Sequence, residues 1–222
     1  MGYELDFSAI AGYLGLFLQG AGVTLGLTAV AASIGLALSI GGAATARWGV
    51  KWARALVAAY VELIRNTPFL VQLFFIFFGL PALGIKMTAM SAAILAMTIN
   101  LTAYAIEIVR AGIEAVPPGQ REAGLALGLK PPNVFFSIVL PQALANVYPA
   151  LVSQIIITML ESAVVSQVAV MDLTHVADYI QSRTYRAFET YFVIAAVYLG
   201  MAMGLRWLMI RAGSRLFAGR HK

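Results

Sequence analysis

Residues 11–44 read AGYLGLFLQGAGVTLGLTAVAASIGLALSIGGAA and contain no charged side chain. An α-helix needs about 20 consecutive apolar residues to cross a bilayer, so this run can span a membrane with a tilt or an interfacial lead-in. The rest of the chain is similar: 61% of the 222 residues are hydrophobic and 11% are charged, whereas soluble domains average roughly 45–50% and 25%. This composition predicts a helical membrane protein and excludes a large soluble domain.

Four more apolar runs follow the first one along the chain. The predicted spans cover residues 11–44, 53–80, 87–111, 144–171 and 188–210. Pro68 is expected to kink the second span, because proline removes a helix hydrogen bond. We predict an all-α fold of five transmembrane helices, forming a single transmembrane domain over residues 1–222, with a long polar connection at residues 112–143.

The placement of lysine and arginine predicts the orientation of the spans, since these residues concentrate in cytoplasmic connections. The segment before the first span has Glu4 and Asp6 and no basic residue. Arg183 and Arg186 in the fourth connection oppose the trend, but acidic residues lie near them. The first and third connections and the tail hold Arg47, Lys51, Arg54, Arg110, Arg121, Lys130, Arg206, Arg211, Arg215, Arg220 and Lys222. The predicted topology is N-out, C-in, with the connection 112–143 in the cytoplasm.

Several kinds of chemistry are absent from the sequence. There is no cysteine, which excludes disulfides, thiolate zinc sites, iron–sulfur clusters and a cysteine nucleophile. The two histidines, His175 and His221, are too few for a histidine metal cluster, so no metal site is expected and His175 is expected to be solvated. A phosphate-binding loop needs a Gly-Lys pair, and none occurs. The net charge of +5 reflects membrane topology here, and no nucleic-acid partner is predicted.

The connection 112–143 is punctuated like two short helices. Pro117 and the following Pro-Gly open the first helix, with Gln120 to Ala123 as its first turn, and Gly128 closes it. A second helix is predicted over Val134–Leu140, interrupted by Pro141. A helix of about ten residues is marginal alone. It must therefore pack at the lipid interface or serve as a docking element for a soluble partner.

The spacing within this connection resembles the EAA loop of ABC importer permeases. That pattern is Glu-Ala-Ala, three residues, Gly, nine residues, Ile, one residue, Leu-Pro. The matching positions are Glu122, Ala123, Gly124, Gly128, Ile138, Leu140 and Pro141, and the departure is Gly124 in place of the second alanine. Residues 60–68, 103–113 and 181–185 are similar to signatures of the polar amino acid permease branch, which handles histidine, glutamate, glutamine, arginine and opines.

The resemblance implies a set of partners and a mechanism. Two permeases, identical or homologous, pair in the bacterial inner membrane above two ATPase subunits, and a periplasmic or lipid-anchored substrate-binding protein delivers the amino acid. The chain itself is not expected to be an enzyme or to bind a cofactor, because ATP and magnesium belong to the ATPase. The implied ATPase-docking residues are Gln120, Arg121, Glu122, Ala123, Gly124 and Gly128. Alternatively, Glu122 only stabilises the N-terminus of its own helix.

An ionisable residue within a span is a functional candidate, because its burial costs roughly 2.5–3.5 kcal/mol. Gln154, Thr158 and Glu161 fall on one helical stripe, with Ser162 beside it. A carboxylate there would attract the ammonium or cationic side chain of an amino acid. The resembled family commonly has Lys-Asp-Thr-Ser at residues 160–163, where this chain has Leu-Glu-Ser-Ala. The lost lysine favours a cationic solute: arginine, histidine, lysine or an opine.

Other assignments of these polar residues stay open. Glu161 could be protonated and hydrogen-bonded between helices, or paired with a basic residue of the second permease. Asn100 and Tyr104 share one face of the third span and are a further candidate for solute contact. Glu62 with Arg65, and Glu107 with Arg110, could neutralise one another at three-residue spacing, and are expected to fix helix ends rather than to bind solute.

Small residues recur at four-residue spacing in the first and fifth spans, at Gly22 and Gly26 and at Gly200 and Gly204. Such spacing lets two helix backbones approach closely. Contact with another subunit and packing within this chain are both compatible with it. A passive channel is the main rival to a transporter subunit, and a membrane enzyme has few groups to work with.

Overall fold

The computed structural model of the chain describes residues 4–217. Of these described residues, 86% are helical and none lies in a strand. The helices are α1 Ser8–Ala11, α2 Leu14–Trp48, α3 Lys51–Arg65, α4 Phe69–Phe74, α5 Leu80–Ala82, α6 Ala89–Glu114, α7 Pro118–Ala126, α8 Pro131–Val134, α9 Leu140–Glu161, α10 Leu173–Thr184 and α11 Ala187–Leu216. Arg220, His221 and Lys222, on which parts of the sequence analysis depend, lie outside the described residues.

Within residues 4–217, four helical segments are long and apolar enough to cross a membrane. They are Leu14–Trp48, Ala89–Glu114, Pro131–Val168 and Ala187–Leu216. A fifth span results if α3 and the helical stretch Phe69–Ala82 together make one crossing. The all-α class is therefore confirmed, while the number of five spans and the N-out orientation stay predictions.

Pro68 breaks the helix of the predicted second span rather than kinking it. α3 ends at Arg65, and the backbone N–H of Asn66 still donates to the carbonyl of Glu62 at 3.2 Å. Pro68 is extended, with ψ at 139°, and α4 begins at the next residue. A proline ring crowds the residue before it and disfavours its helical conformation, so the helix cannot continue through Thr67.

The prediction of a separate helix over Val134–Leu140 that stops at Pro141 is wrong. Helix begins at Pro131, passes through a π-helical stretch at Phe135–Val139 and continues as α9 to Glu161. Pro141 cannot donate a backbone hydrogen bond, and the wider π-helical turn directly before it accommodates the missing bond. The third connection therefore runs without interruption into the next membrane segment, which begins well before the predicted residue 144.

The chain divides into two compact units, and each long helix contributes residues to both. The first unit comprises the described part of Met1–Ser33, with Thr67–Thr98 and Ile156–Leu205. Its apolar core surrounds α10 and contains Ile10, Phe17, Leu173, Val176, Ala177, Ile180 and Ile194. Gly20 brings α2 close to α10, since a Cβ atom on Gly20 would lie 2.9 Å from the Cα of Leu173.

A charged cluster ties the first residues of this unit to the start of α11. The carboxylate of Glu189 is fully buried and accepts a hydrogen bond from the backbone N–H of Asp6 at 3.0 Å. Arg186 donates to Glu189 at 3.4 Å and to the carbonyl of Glu4 at 2.9 Å. Arg186, which opposes the predicted charge distribution, is thus neutralised locally by Glu189, one of the acidic residues expected to offset it.

The second unit comprises Ile34–Asn66, Ile99–Ile155 and the described part of Arg206–Lys222. Its core joins α2, α6 and α9 to the short helices of the third connection, through Ala43, Ala105, Val109, Ile113, Val116, Val134, Val139, Ala143 and Leu151. A Cβ atom on Gly112 would lie 2.7 Å from the carbonyl oxygen of Ala143. A glycine there lets α6 and α9 pack backbone against backbone.

The glycine pairs of the first and fifth spans do not pack within the described chain. A Cβ atom added at Gly22, Gly26, Gly200 or Gly204 would have no atom within 4 Å apart from its chain neighbours and the backbone of its own helix. Packing within one chain, left open by the sequence, is therefore not their role among residues 4–217.

Candidate functional site

The third connection presents helix α7 on its surface. The helix begins at Pro118, where a proline at the first helical position loses no internal hydrogen bond. Gln120, Arg121, Glu122 and Ala123 are all exposed. The carboxylate of Glu122 makes no hydrogen bond or ion pair with another described residue. Its side chain is therefore available to a partner from outside the chain.

The position of Glu122 within α7 differs from the prediction. Because the helix starts at Pro118, Glu122 lies in its second turn, and the first turn holds no acidic residue. The favourable interaction of a carboxylate with a helix N-terminus is confined to the first turn. Glu122 therefore contributes little to the stability of its own helix. This weakens the alternative that Glu122 only stabilises the N-terminus of α7.

Gly128 closes α7 in the way the sequence pattern predicts. Its φ is +80°, a left-handed conformation that glycine adopts without strain. The backbone N–H of Leu129 donates to the carbonyl of Gly124 at 3.2 Å, and that of Gly128 to Leu125 at 2.9 Å. These two bonds form a Schellman motif, which satisfies the last carbonyls of the helix. The turn leaves Leu127 81% exposed.

The remaining docking candidate, Gly124, is the one buried residue of α7. A Cβ atom at this position would lie 2.7 Å from the Cδ1 atom of Ile138 and 3.1 Å from Val134. Gly124 thus holds α7 against the helix that follows it, rather than offering a surface to a partner. A cleft of about 120 Å³ opens beside the exposed face of α7 and is lined in part by Trp48, Arg121 and Glu122.

The stripe predicted on the fourth membrane segment lies on one face of α9. Gln154 and Thr158 are buried, at 8% and 2% exposure, and Glu161 is half-buried at the last residue of the α-helix. The hydroxyl of Thr158 has no hydrogen-bond partner among the described residues. Buried hydroxyls are rarely left without a partner, so this group has capacity for a ligand or a water molecule.

Glu161 makes no ion pair and no hydrogen bond with any described residue. The helix changes directly after it, because Ser162–Val168 form a 3₁₀ segment. Such 3₁₀ stretches are frequent at the C-terminal end of an α-helix. A carboxylate inside a membrane segment needs a partner, and the described residues supply none to Glu161. A hydrogen bond to another helix of this chain, one of the alternatives left open by the sequence, is therefore absent among residues 4–217.

The two other predicted solute contacts differ in character. Ser162 is fully buried, and its hydroxyl donates to the carbonyl of Met159 at 2.7 Å. Asn100 is buried at 3% exposure in α6. Asn100 and Gln154 belong to the second unit, whereas Thr158, Glu161 and Ser162 belong to the first. The predicted set is therefore distributed over both units.

One of the two predicted charge pairs forms and the other does not. Arg110 binds Glu107 with two hydrogen bonds, from Nε at 3.1 Å and from Nη2 at 2.8 Å. Glu62, by contrast, accepts a hydrogen bond from Asn66 at 2.8 Å, and its predicted pairing with Arg65 is wrong. Arg65 lies over the ring of Tyr104, 5.3 Å from its centroid. The i, i+3 spacing permits an ion pair, but neighbours from α6 draw the guanidinium away.

The structure also shows polar residues that the sequence analysis did not select. Asp172 is fully buried and caps α10, accepting a hydrogen bond from the backbone N–H of His175 at 2.9 Å. The hydroxyl of Tyr198 donates to Asp172 at 3.3 Å and lies 2.9 Å from Thr174. An aspartate directly before a helix is a capping signal that the sequence carries. Its burial, however, depends on α11.

Comparisons with known proteins agree with this architecture. Residues 34–212 match the family described as "binding-protein-dependent transport system inner membrane component". The chain is 34% identical to the arginine transport system permease protein ArtQ of Bacillus subtilis, over 92% of this chain and 94% of that protein. It is 31% identical to the glutamine transport system permease protein GlnP of Escherichia coli K12, over 96% and 98%.

Solved structures give the same result. The crystal structure of an amino acid ABC transporter with histidines has a chain that is 40% identical, with a TM-score of 0.86, over 96% of this chain and 100% of that one. A chain of the MetNI methionine ABC transporter, 23% identical, has a TM-score of 0.74 over 96% and 99%, and supports the fold alone. The family indicated by the loop pattern is thereby confirmed: the chain belongs to the binding-protein-dependent transport system inner membrane components.

Proposed function

We propose that this chain is the permease subunit of an ABC importer that moves a polar, cationic amino acid across the bacterial inner membrane. Family membership and two relatives named as arginine and glutamine permeases support an amino acid importer. The observation that carries the finer proposal is Glu161, a half-buried carboxylate in a membrane segment without a partner among the described residues. A cationic solute supplies the missing charge.

The neighbours of Glu161 on the same helix face fit this role. Thr158 offers a buried hydroxyl with unused hydrogen-bonding capacity, and Gln154 offers an amide one turn before it. Neutral groups of this kind can orient the solute while the carboxylate supplies the charge-assisted bond. Ser162 and Asn100 complete the proposed set of solute contacts.

Family membership supports the proposed partners. A second permease, identical or homologous, pairs with this chain, and two ATPase subunits bind the pair. On this chain the docking surface is the exposed face of α7, with Gln120, Arg121, Glu122, Ala123 and the turn at Gly128. Gly124, on the buried face of α7, contributes indirectly by letting the helix pack against Ile138 and Val134. A periplasmic or lipid-anchored binding protein delivers the solute. ATP-driven movement of the two α7 helices alternates the access of the membrane cavity, and ATP with its magnesium stays on the partner.

The test is uptake by reconstituted complexes that carry Glu161→Gln, which keeps the side-chain shape and removes its charge. We expect uptake of arginine, histidine or lysine to fall, with affinity weakened roughly 10- to 150-fold, because a charge-assisted hydrogen bond contributes about 1.5–3 kcal/mol. Assembly and basal ATPase activity should be unchanged. Glu114→Gln, which removes a carboxylate from the end of α6, serves as the control.

Four results would contradict the proposal. Uptake of a cationic amino acid at the native rate by Glu161→Gln would remove the carboxylate from the solute path. Transport of an acidic amino acid would exclude a cationic solute class. Dissociation of the permease pair by the same substitution would instead assign Glu161 to the contact between subunits. Solute flux without ATP would favour a passive channel over an importer.

A further inference from the structure

A second polar cleft lies in the second unit, lined by residues of α3 and α6 and by Asn66. Its volume is about 270 Å³, and its lining residues are Val61, Glu62, Arg65, Asn66 and Tyr104. One acidic and one basic side chain therefore face the same space. They do not pair with each other, contrary to the prediction from their spacing.

The Glu62 carboxylate is oriented by a neutral neighbour. The side-chain amide of Asn66 donates to Oε2 of Glu62 at 2.8 Å and to the backbone carbonyl of Glu62 at 2.8 Å. The first bond holds the carboxylate, the second fixes the Asn66 amide that donates it, and neither neutralises the charge. Among the described residues, no cation forms an ion pair with Glu62, so its negative charge is available to a ligand.

The guanidinium of Arg65 is held by two neighbours from α6, and its contact with Glu107 is a long ion pair. It lies over the ring of Tyr104, 5.3 Å from the centroid, and its Nη1 atom is 3.8 Å from Oε2 of Glu107. That separation is beyond hydrogen-bonding distance. Glu107 is already bound through both oxygens by Arg110, at 3.1 Å and 2.8 Å. The donors of Arg65 therefore make no hydrogen bond with a described residue, and they form a fork suited to a carboxylate.

From this geometry we propose that the cleft binds the main-chain zwitterion of an amino acid, with Arg65 holding the α-carboxylate and Glu62 the α-ammonium. Residues three apart on a helix have Cβ atoms about 5–6 Å apart, a spacing that suits two charged groups carried on one α-carbon. These groups are common to all α-amino acids, so the cleft recognises the class and leaves side-chain selection to other residues.

This inference rests on the proposed amino acid import, but it concerns different residues from Glu161. Arg110 and Glu107 act as positioning residues, because they fix Arg65 without lining the cleft, whereas Tyr104 both lines the cleft and lies under the guanidinium. Tyr104, which the sequence placed on one face with Asn100, gains its role through the guanidinium above its ring. A lysine in place of Arg65 would keep the charge and lose the two parallel donors.

The test uses the purified complex of permease and ATPase in nanodiscs, without the binding protein, so that binding reports on the membrane subunits alone. The probes are radiolabelled arginine, histidine, lysine and glutamine, each competed with the amine that lacks the α-carboxylate, such as agmatine for arginine. Arg65→Gln should weaken binding of the best amino acid about tenfold and leave the corresponding amine unchanged. Arg65→Lys should have an intermediate effect.

Lys51→Gln, which removes one positive charge from the same helix outside the cleft, should bind like the wild type. Equal weakening of amino acid and amine by Arg65→Gln, or no weakening, would overturn the inference while leaving the proposed function intact. If Arg65→Gln does not assemble, the affinities of the wild-type complex for arginine and agmatine are compared instead. Equal affinities would refute the proposed contact between Arg65 and the α-carboxylate. Absence of binding of all four amino acids would refute the proposed function and this inference with it.

Discussion

The Cδ1 atom of Ile138 lies 2.7 Å from the position that a Cβ atom on Gly124 would occupy. The two residues stand fourteen positions apart within the loop pattern, and Gly124 is its one departure from Glu-Ala-Ala. A glycine in a helix costs up to about 1 kcal/mol relative to alanine. Here the missing side chain permits α7 to lie directly on the following helix. Packing against that helix, rather than helix propensity, therefore stabilises the position of α7.

Substituting Gly124 should therefore differ from substituting a glycine elsewhere in α7. Gly124→Ala gains roughly 0.5–1 kcal/mol of helix propensity but overpacks against Ile138 and Val134, at a cost of roughly 1–3 kcal/mol. We expect a net loss of about 1 kcal/mol, measured by thermal unfolding of the detergent-solubilised protein.

Two variants separate contact from propensity. Gly119→Ala in the first turn of α7 meets no atom within 4 Å and should be neutral or stabilising. Ile138→Val removes the nearest methyl group, so the double variant with Gly124→Ala should recover most of the loss. Equal destabilisation with and without Ile138→Val would show that the contact does not limit packing.

Glu122→Arg should uncouple the permease from its ATPase without unfolding it. The side chain is exposed and has no partner among the described residues, so the free energy of unfolding should change by less than about 0.5 kcal/mol. Reversal of the charge at the docking surface should cost about 2–5 kcal/mol of association free energy. The readouts are copurification with the ATPase and stimulation of its activity.

Glu114→Gln is the matched control for docking, because Glu114 bonds to Arg110 of its own chain at 2.8 Å. It should copurify with the ATPase like the wild type. Normal coupled transport by Glu122→Arg would exclude Glu122 from the docking surface.

The predicted orientation can be tested with two single cysteines in a chain that has none of its own. Tyr185 in the fourth connection is 88% exposed and Leu127 in the third is 81% exposed, so both thiols should be accessible. With the N-out, C-in topology, Tyr185→Cys labels with an impermeant reagent in intact cells and Leu127→Cys labels only after permeabilisation. Labelling of Leu127→Cys from outside would reverse the topology.

The pH dependence of stability should report on Asp172. Burial raises the pKa of this carboxyl, although hydrogen bonds from the backbone of His175 and Thr174 act against the shift. The protonated carboxyl therefore contributes its full stabilisation below the unfolded-state pKa of about 3.9. This stabilisation is lost as the pH rises through the raised pKa of the native state. Asp172→Asn, which can still cap α10, should raise Tm at pH 7, and the difference should vanish near pH 4.

Asp6 provides a comparison of opposite sign. Hydrogen bonds from the hydroxyl and backbone N–H of Ser8 lower the pKa of Asp6. The ionised carboxylate therefore stabilises the fold above the unfolded-state pKa, and this stabilisation is lost as the pH falls through the lowered pKa of the native state. Asp6→Asn should therefore reduce Tm at pH 7 and have less effect in acid. A Tm of Asp172→Asn that follows the wild type at every pH would show that the pKa of Asp172 is the same in the native and unfolded states.

The sequence by itself determined the membrane class, the long helices and the family. Apolar runs near 20 residues and the spacing from Glu122 to Pro141 are properties of the chain read in order, and no distant contact changes them. The left-handed turn at Gly128 was equally predictable, because glycine adopts that conformation without strain.

Only the tertiary structure decided which charges pair and where helices break or continue. Arg65 stands three residues from Glu62, yet it lies over Tyr104 because α6 brings that ring within reach. The helix before Pro68 ends, whereas the helix continues through Pro141 because the π-helical turn before it accommodates the missing hydrogen bond. Glu161 is left without a partner because none of the described helices brings a cation to it. Such outcomes depend on residues far apart in the chain, and the free energy that selects among them comes from packing rather than from sequence spacing.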